Sequence, residues 1–234
     1  MKPSLLLPFM LVCSFRLSAQ DSNLVTIKTG QRVSDVLAPS DMYYYPEFTI
    51  ARVFFRDGSK GAAKMNYNCL FDQILYIDSK GDTLALANEK TMKFIIVNND
   101  TFYYDEGYLR IIGGDNDVKL AEKQIWVVAD IRKIGTHNKE KPSVAIYSFS
   151  TYTDGTDAAK SKDLILNEDI ILRKETQFFF GNENNHFVRA TKKKLLTLYP
   201  KDERSINAYL KENNVDFDKR IDLEKLTQFL CKDH

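Results

Sequence analysis

Little in this chain is of a kind that staples a fold or marks an active site. Three cysteines in 234 residues, Cys13, Cys69 and Cys231, are too few for a disulfide framework. The three histidines, His137, His186 and His234, stand apart, outside any H-E-x-x-H or C-x-x-C setting, so a zinc site lacks ligands. No G-x-S-x-G elbow, Walker loop or G-x-G-x-x-G run occurs, which removes the sequence grounds for nucleophilic hydrolysis and for nucleotide binding. Neither sign of charge dominates: 33 basic and 32 acidic side chains leave a net charge of +1. Nucleic-acid partners call for a clustered basic face, so that class is not expected. These residues imply no catalytic group, metal or cofactor.

What is present begins with an N-terminus unlike the rest. Lys2 is followed by an apolar run of eleven residues, Leu5 to Phe15, and then by Ser18-Ala19-Gln20. That is the three-part plan of a secretory signal peptide, residues 1–20, with cleavage after Ala19 or Gln20. The run is short of the roughly 20 apolar residues that span a bilayer. Val12 is too bulky for Cys13 to sit in a lipoprotein box. The expectation is an exported chain working in the periplasm, at the periphery of an outer membrane or outside the cell. Losing Lys2 and Arg16 leaves 31 basic and 32 acidic residues, a net charge of −1. That balance gives no reason to expect adsorption to an anionic membrane. An exported chain is able to join Cys69 to Cys231, but a domain of this size does not need the bridge.

The patterning predicts a mainly β (α+β) fold. Ala51, Val53 and Phe55 alternate with Arg52 and Arg56; Ala63, Met65, Tyr67 and Cys69 alternate with Lys64, Asn66 and Asn68. Further short strands are read at Gln73–Asp78, Thr83–Ala87, Phe94–Val97, Thr101–Tyr104, Tyr108–Ile112, Lys119–Ala129, Val144–Thr151, Ile170–Phe180 and His186–Ala190, parted by Gly-, Asn- and Asp-rich turns. Residues 21–190 are therefore expected to form an antiparallel meander, either a curved sheet or two layers. Residues 191–234 change to helical period, with Thr191, Asp202 and Asp222 as caps and no helix beyond about three turns. Such short helices need tertiary support, so Leu195, Leu198, Ile206, Leu210, Leu226, Phe229 and Leu230 are expected to pack this C-terminal helical segment on the β domain.

Aromatic clusters supply the candidate binding residues: Tyr43, Tyr44 and Tyr45, and Tyr103 and Tyr104 with Tyr108. An exposed ring platform stacks on a sugar or a lipid chain. Consecutive tyrosines in a strand point to opposite faces, so core packing competes with that reading for part of each cluster. Asp115-Asn116-Asp117, Asp154-Gly155-Thr156-Asp157 and Asp216-x-Asp218 are read as turns; Ile221 and Thr227 fall where a calcium loop needs glycine and glutamate. Lys192-Lys193-Lys194 reads as a solvated helix start.

Two segments carry a resemblance. Asn66-Tyr67-Asn68 through Ile77-Asp78-Ser79-Lys80-Gly81-Asp82-Thr83-Leu84-Ala85 is similar to a segment of uncharacterised exported β-rich proteins of Gram-negative bacteria. So is Lys193-Lys194-Leu195-Leu196 with Tyr199-Pro200, Ile206, Tyr209-Leu210 and Asp216-Phe217. The resemblance implies an envelope or secreted location and no activity. The expected role is a non-enzymatic binding or structural module, with lipid, peptide or glycan as ligand. A carboxylate-based hydrolase such as a glycosidase is the alternative, recognisable by two carboxyl groups about 5–10 Å apart in a cleft. An interaction scaffold is the third reading, recognisable by an apolar patch without a deep pocket.

Overall fold

The structure, a computed structural model, describes residues 24–132, 147–149 and 164–233. These form one twelve-stranded antiparallel sheet, open and curved, with helices at its C-terminal end. In chain order the strands are β1 (Leu24–Ile27), β2 (Thr49–Phe55), β3 (Lys60–Asn68), β4 (Gln73–Ile77), β5 (Thr83–Ala85), β6 (Met92–Val97), β7 (Asp100–Tyr104), β8 (Tyr108–Gly114), β9 (Lys119–Arg132), β10 (Tyr147–Ser148), β11 (Asp169–Gly181) and β12 (Phe187–Arg189). The spatial order is β1-β11-β9-β8-β7-β6-β2-β3-β4-β5, with β10 added to β9 and β12 to β11. The meander follows from the turn chemistry. Asn98 between β6 and β7 and Glu106-Gly107 between β7 and β8 take positive φ, as tight antiparallel connections require. Gly107 is fixed by crowding as well: a Cβ there would lie 2.3 Å from a carboxylate oxygen of Asp72.

Curvature comes from the two long strands. β9 and β11 run 14 and 13 residues, and their ladder carries a register shift at Ile171/Leu172, the kind of irregularity that bends a sheet. β8 ends its pairing with β9 at Glu122. Beyond it, the β3–β4 turn curls over and the Trp126 backbone N–H donates to the Cys69 carbonyl at 3.2 Å. The choice between a curved sheet and two layers thus falls to a single curved sheet. β1, which the sequence reading did not identify, pairs with β11 at one edge. Two short helices, α1 (Val33–Val36) and α2 (Pro39–Met42), lead into β2.

The main core fills the concave side with Tyr67, Phe71, Phe102, Tyr108, Trp126, Phe149 and aliphatic residues from both long strands. Asn66 and Asn68 depart from expectation. Their alternation places them with Lys64 on a polar face, yet both are buried. Residues 43–45 run beside them, Tyr43 bridging to Asn68: Asn66 donates to the Tyr45 carbonyl and accepts from the Tyr45 N–H, at 2.9 and 3.0 Å. Asn68 accepts from the Leu70 and Phe71 N–H groups. Their amides replace water for backbone that would otherwise be orphaned.

The C-terminal helices are α3 (Lys192–Leu198), α4 (Glu203–Asn213) and α5 (Arg220–Asp233). A second core joins them to the sheet: Leu195, Ile206, Leu223, Leu226 and Leu230 pack with Val118, Leu120, Phe178 and Phe180. The tail is docked, as its apolar spacing required. Leu198, Leu210 and Phe229 are only partly buried at its margin. Thr191 caps α3, its hydroxyl accepting from the Lys194 N–H. Asp202 precedes α4 but makes no side-chain cap bond. Asp222 is inside the first turn of α5, where its carboxylate accepts from the Asp216 N–H. At 14 residues α5 is about four turns long, not three.

Candidate functional site

The six candidate tyrosines do not make one platform. Tyr108 is buried in the main core, and Tyr43, Tyr44, Tyr45 and Tyr104 are half-buried against it. Tyr44 meets Tyr45 edge-on at 4.9 Å, and Tyr104 meets Tyr108 at 5.1 Å. Tyr103, one residue from Tyr104, points through the sheet to the opposite side, where it packs with Phe94 and Phe187. Strand alternation divides the cluster, as the period of two dictates.

Beneath Tyr44 lies an ion-pair hub. The Arg110 guanidinium, 4.9 Å from the Tyr44 ring centroid, reaches Asp100 at 2.8 Å and Glu122 at 2.5 Å. Tyr45 donates its hydroxyl to the other oxygen of Asp100 at 2.6 Å. Arg220 of α5 approaches Glu122 at 3.6 Å, so the hub also touches the tail. Burial opposes the charge on Arg110, but its hydrogen bonds to Glu122 and Asp100 outweigh that and hold its pKa above the usual guanidinium range. This is the arrangement nearest to a carboxylate pair. The cavity beside it, lined by Tyr44, Tyr67, Phe102, Tyr108, Arg110, Glu122 and Gln124, has a volume of about 10 Å³. That is the space of one water molecule, so no sugar ring enters. The hub ties strands and tail together; it is not a glycosidase cleft.

The other titratable candidates are structural too. Cys69 and Cys231 are free thiols in different cores, Cys69 in the main one and Cys231 at the edge of the tail core. Burial pushes the Cys69 thiol up to about 12 and the Cys231 thiol up to about 11, far from a reactive thiolate. Asp115 and Asp216 accept backbone N–H groups two residues on, as turn residues do. Among the described residues no three metal-binding side chains cluster. Asp154–Asp157, His137 and His234 lie outside the described residues.

The convex face of β3, β2, β6 and β7 is different. Register aligns Lys60, Phe54 and Phe94 across β3, β2 and β6, and Tyr103 of β7 continues the line. Phe54 and Phe94 stack at 4.5 Å, Phe94 and Tyr103 lie 6.1 Å apart, and Lys60 Nζ is 5.4 Å above the Phe54 ring. The next row places Ala62, Arg52, Ile96 and Thr101 side by side, and the third pairs Lys64 with Ile50. Arg52, Lys60 and Lys64 are exposed, and so is Ile50, at 74%. Phe54, Phe94, Ile96 and Tyr103 are half-buried. The single acid in these four strands is Asp100, which is on the concave side with Arg110. At the hairpin tip a shallow cleft adds Arg56 and Lys90 together with one acid, Asp57. Sequence reading missed this face. Arg52 and Lys64 were legible as outward-facing, and Phe54 between Arg52 and Arg56 was the one signal that rings share their side.

Neither a protein-family model, a curated protein nor a solved structure matches this chain.

Proposed function

We propose that this chain is an exported cell-envelope protein acting as a non-enzymatic binding module, with the convex face of β3, β2, β6 and β7 as its binding surface. The observation that carries the reading is the row Lys60–Phe54–Phe94–Tyr103 with Arg52, Lys64 and Ile50 beside it. A contiguous apolar surface rimmed by polar residues marks an interaction site, where single exposed apolar side chains do not. The N-terminal pattern of residues 1–20 and the resemblance to exported Gram-negative proteins support the location. A surface of this kind, without a deep pocket, binds by contact area, so the interaction-scaffold reading merges with the binding reading. A carboxylate hydrolase is disfavoured by the small volume beside Arg110. The test is affinity purification of the mature chain from envelope extract, beside a double variant Ile50→Asp, Arg52→Glu. The proposal expects a lipid, glycan or protein that mass spectrometry finds with the native face and not with the variant. The same associates on both would contradict it.

A further inference from the structure

Resting on that reading, we infer that the convex face docks on an anionic lipid surface. Arg52, Lys60 and Lys64 meet headgroup phosphates, and Ile50, Phe54 and Phe94 enter the interfacial layer. Charge complementarity carries the choice of occupant. No ion pair joins Arg52, Lys60 or Lys64 to an acid among the described residues, and β2, β3 and β6 carry no acid; Asp57, at the hairpin tip, accepts from the Ser59 N–H and hydroxyl instead. A neutral glycan would stack on the rings and leave three cations without counter-charges. A soluble acidic peptide would satisfy the cations and leave Ile50 and the rings without an apolar environment. A bilayer interface offers both at once: phosphates at one depth, and the acyl boundary a few ångströms below, where aromatic side chains and the alkyl stems of Lys and Arg settle. The layout suits that depth order. Lys60 runs over the Phe54 ring with its ammonium 5.4 Å from the centroid, so ring and cation face outward together. Strand spacing of about 4.8 Å makes the four-strand face roughly 15 Å wide, enough to touch several headgroups. The near-neutral total charge hides this face because the acids lie elsewhere.

Vesicle flotation tests it. The mature chain is mixed with vesicles of pure phosphatidylcholine, and with vesicles in which phosphatidylglycerol replaces one third. Two triple variants go through the same assay: Arg52→Gln, Lys60→Gln, Lys64→Gln on the face, and Lys192→Gln, Lys193→Gln, Lys194→Gln on the exposed start of α3 as an equal-charge control. Circular dichroism confirms that each is folded. The native chain should float with the anionic vesicles and not the neutral ones, and about 1 M salt should release it, because screening there acts within about 3 Å. The face variant should bind on the order of 100-fold more weakly, at about 1 kcal/mol per cation near an anionic surface; the control should bind like the native chain. Equal binding to both vesicle types, or equal loss in both variants, overturns the inference. A heparin column separates the two levels of the claim. Retention there without vesicle binding overturns the lipid surface and leaves the face as a binding site for a soluble polyanion; neither form of binding brings down both.

Discussion

Tyr67 and Tyr108 lie 6.3 Å apart in the main core, and the same phenol has a different worth in each. The Tyr67 hydroxyl is 2.9 Å from Asp72 and 3.2 Å from the Gln124 carbonyl. The Tyr108 hydroxyl is buried without a hydrogen-bond partner. Asp72 also takes Lys123 at 2.9 Å, next to the positive-φ Gly107. Tyr67→Phe should therefore destabilise the fold by about 1–2 kcal/mol, since it strips a bond from a partly buried carboxylate. Tyr108→Phe should cost less than about 0.5 kcal/mol or stabilise slightly. Urea melts of the two variants give the comparison, and equal losses would show that burial of the rings alone sets their worth. The thiols make a second test at this scale. With Cys69 raised to about 12 and Cys231 to about 11 by burial, both stay protonated near pH 8. Iodoacetamide should label neither at an appreciable rate in the native protein and both in urea, as read by peptide mass spectrometry. Labelling in urea only after a reductant would mean a Cys69–Cys231 bridge. Composition left that bridge open because it carries no distance between Cα atoms; in the structure the two thiols are free and belong to separate cores.

Among the elements, the sheet and the helical tail meet through the Arg110 hub and the second core. Glu122 is 5% exposed and draws its counter-charge from Arg110 and, more distantly, Arg220. Arg110→Leu should cost about 3 kcal/mol by leaving that carboxylate poorly compensated, and adding Glu122→Gln should recover part of the loss. A double-mutant cycle without such recovery would make the hub a set of independent contacts. Leu226 is fully buried in the second core, so Leu226→Ala should cost about 2–5 kcal/mol. A chain ending at Ala190 should uncover Val118, Leu120, Phe178 and Phe180 and aggregate or melt markedly lower; solubility and an unchanged melting temperature would make the tail a detachable arm. Most of these elements were legible, because strand and helix periods and the turn residues Asn98, Gly107 and Thr191 are local signals. What was missed is non-local. β1 has no alternation of its own strong enough to mark it and is defined by pairing with β11. Burial of Asn66 and Asn68 depends on where residues 43–45 pass. Asp202 and Asp222 show that a capping residue in sequence is not yet a cap: Asp202 stands at the N-cap of α4 with a non-extended backbone and no side-chain cap bond, and Asp222 is inside the first turn of α5.

For the molecule as a whole, the candidate site became readable only after register was known. Tyr43, Tyr44, Tyr45, Tyr103, Tyr104 and Tyr108 stood out because they are neighbours in sequence, and neighbours in a strand diverge. Lys60, Phe54, Phe94 and Tyr103 come from four strands spread over more than forty positions, and only the hydrogen-bond ladder lines them up. Net charge does not report on a single face, because it averages over faces that the sheet keeps apart. The central claim is that the convex face is where this protein meets something else. Ile50 and Ile221 make the sharpest comparison, since they are the same residue type, exposed at 74% and 57%, one on the convex face and the other on α5. A photo-crosslinking amino acid placed at each position in turn, in the protein expressed in its native cell, reads out contact directly. Adducts from position 50 and none from position 221 are the result expected; adducts from both alike, or from 221 alone, would contradict the claim.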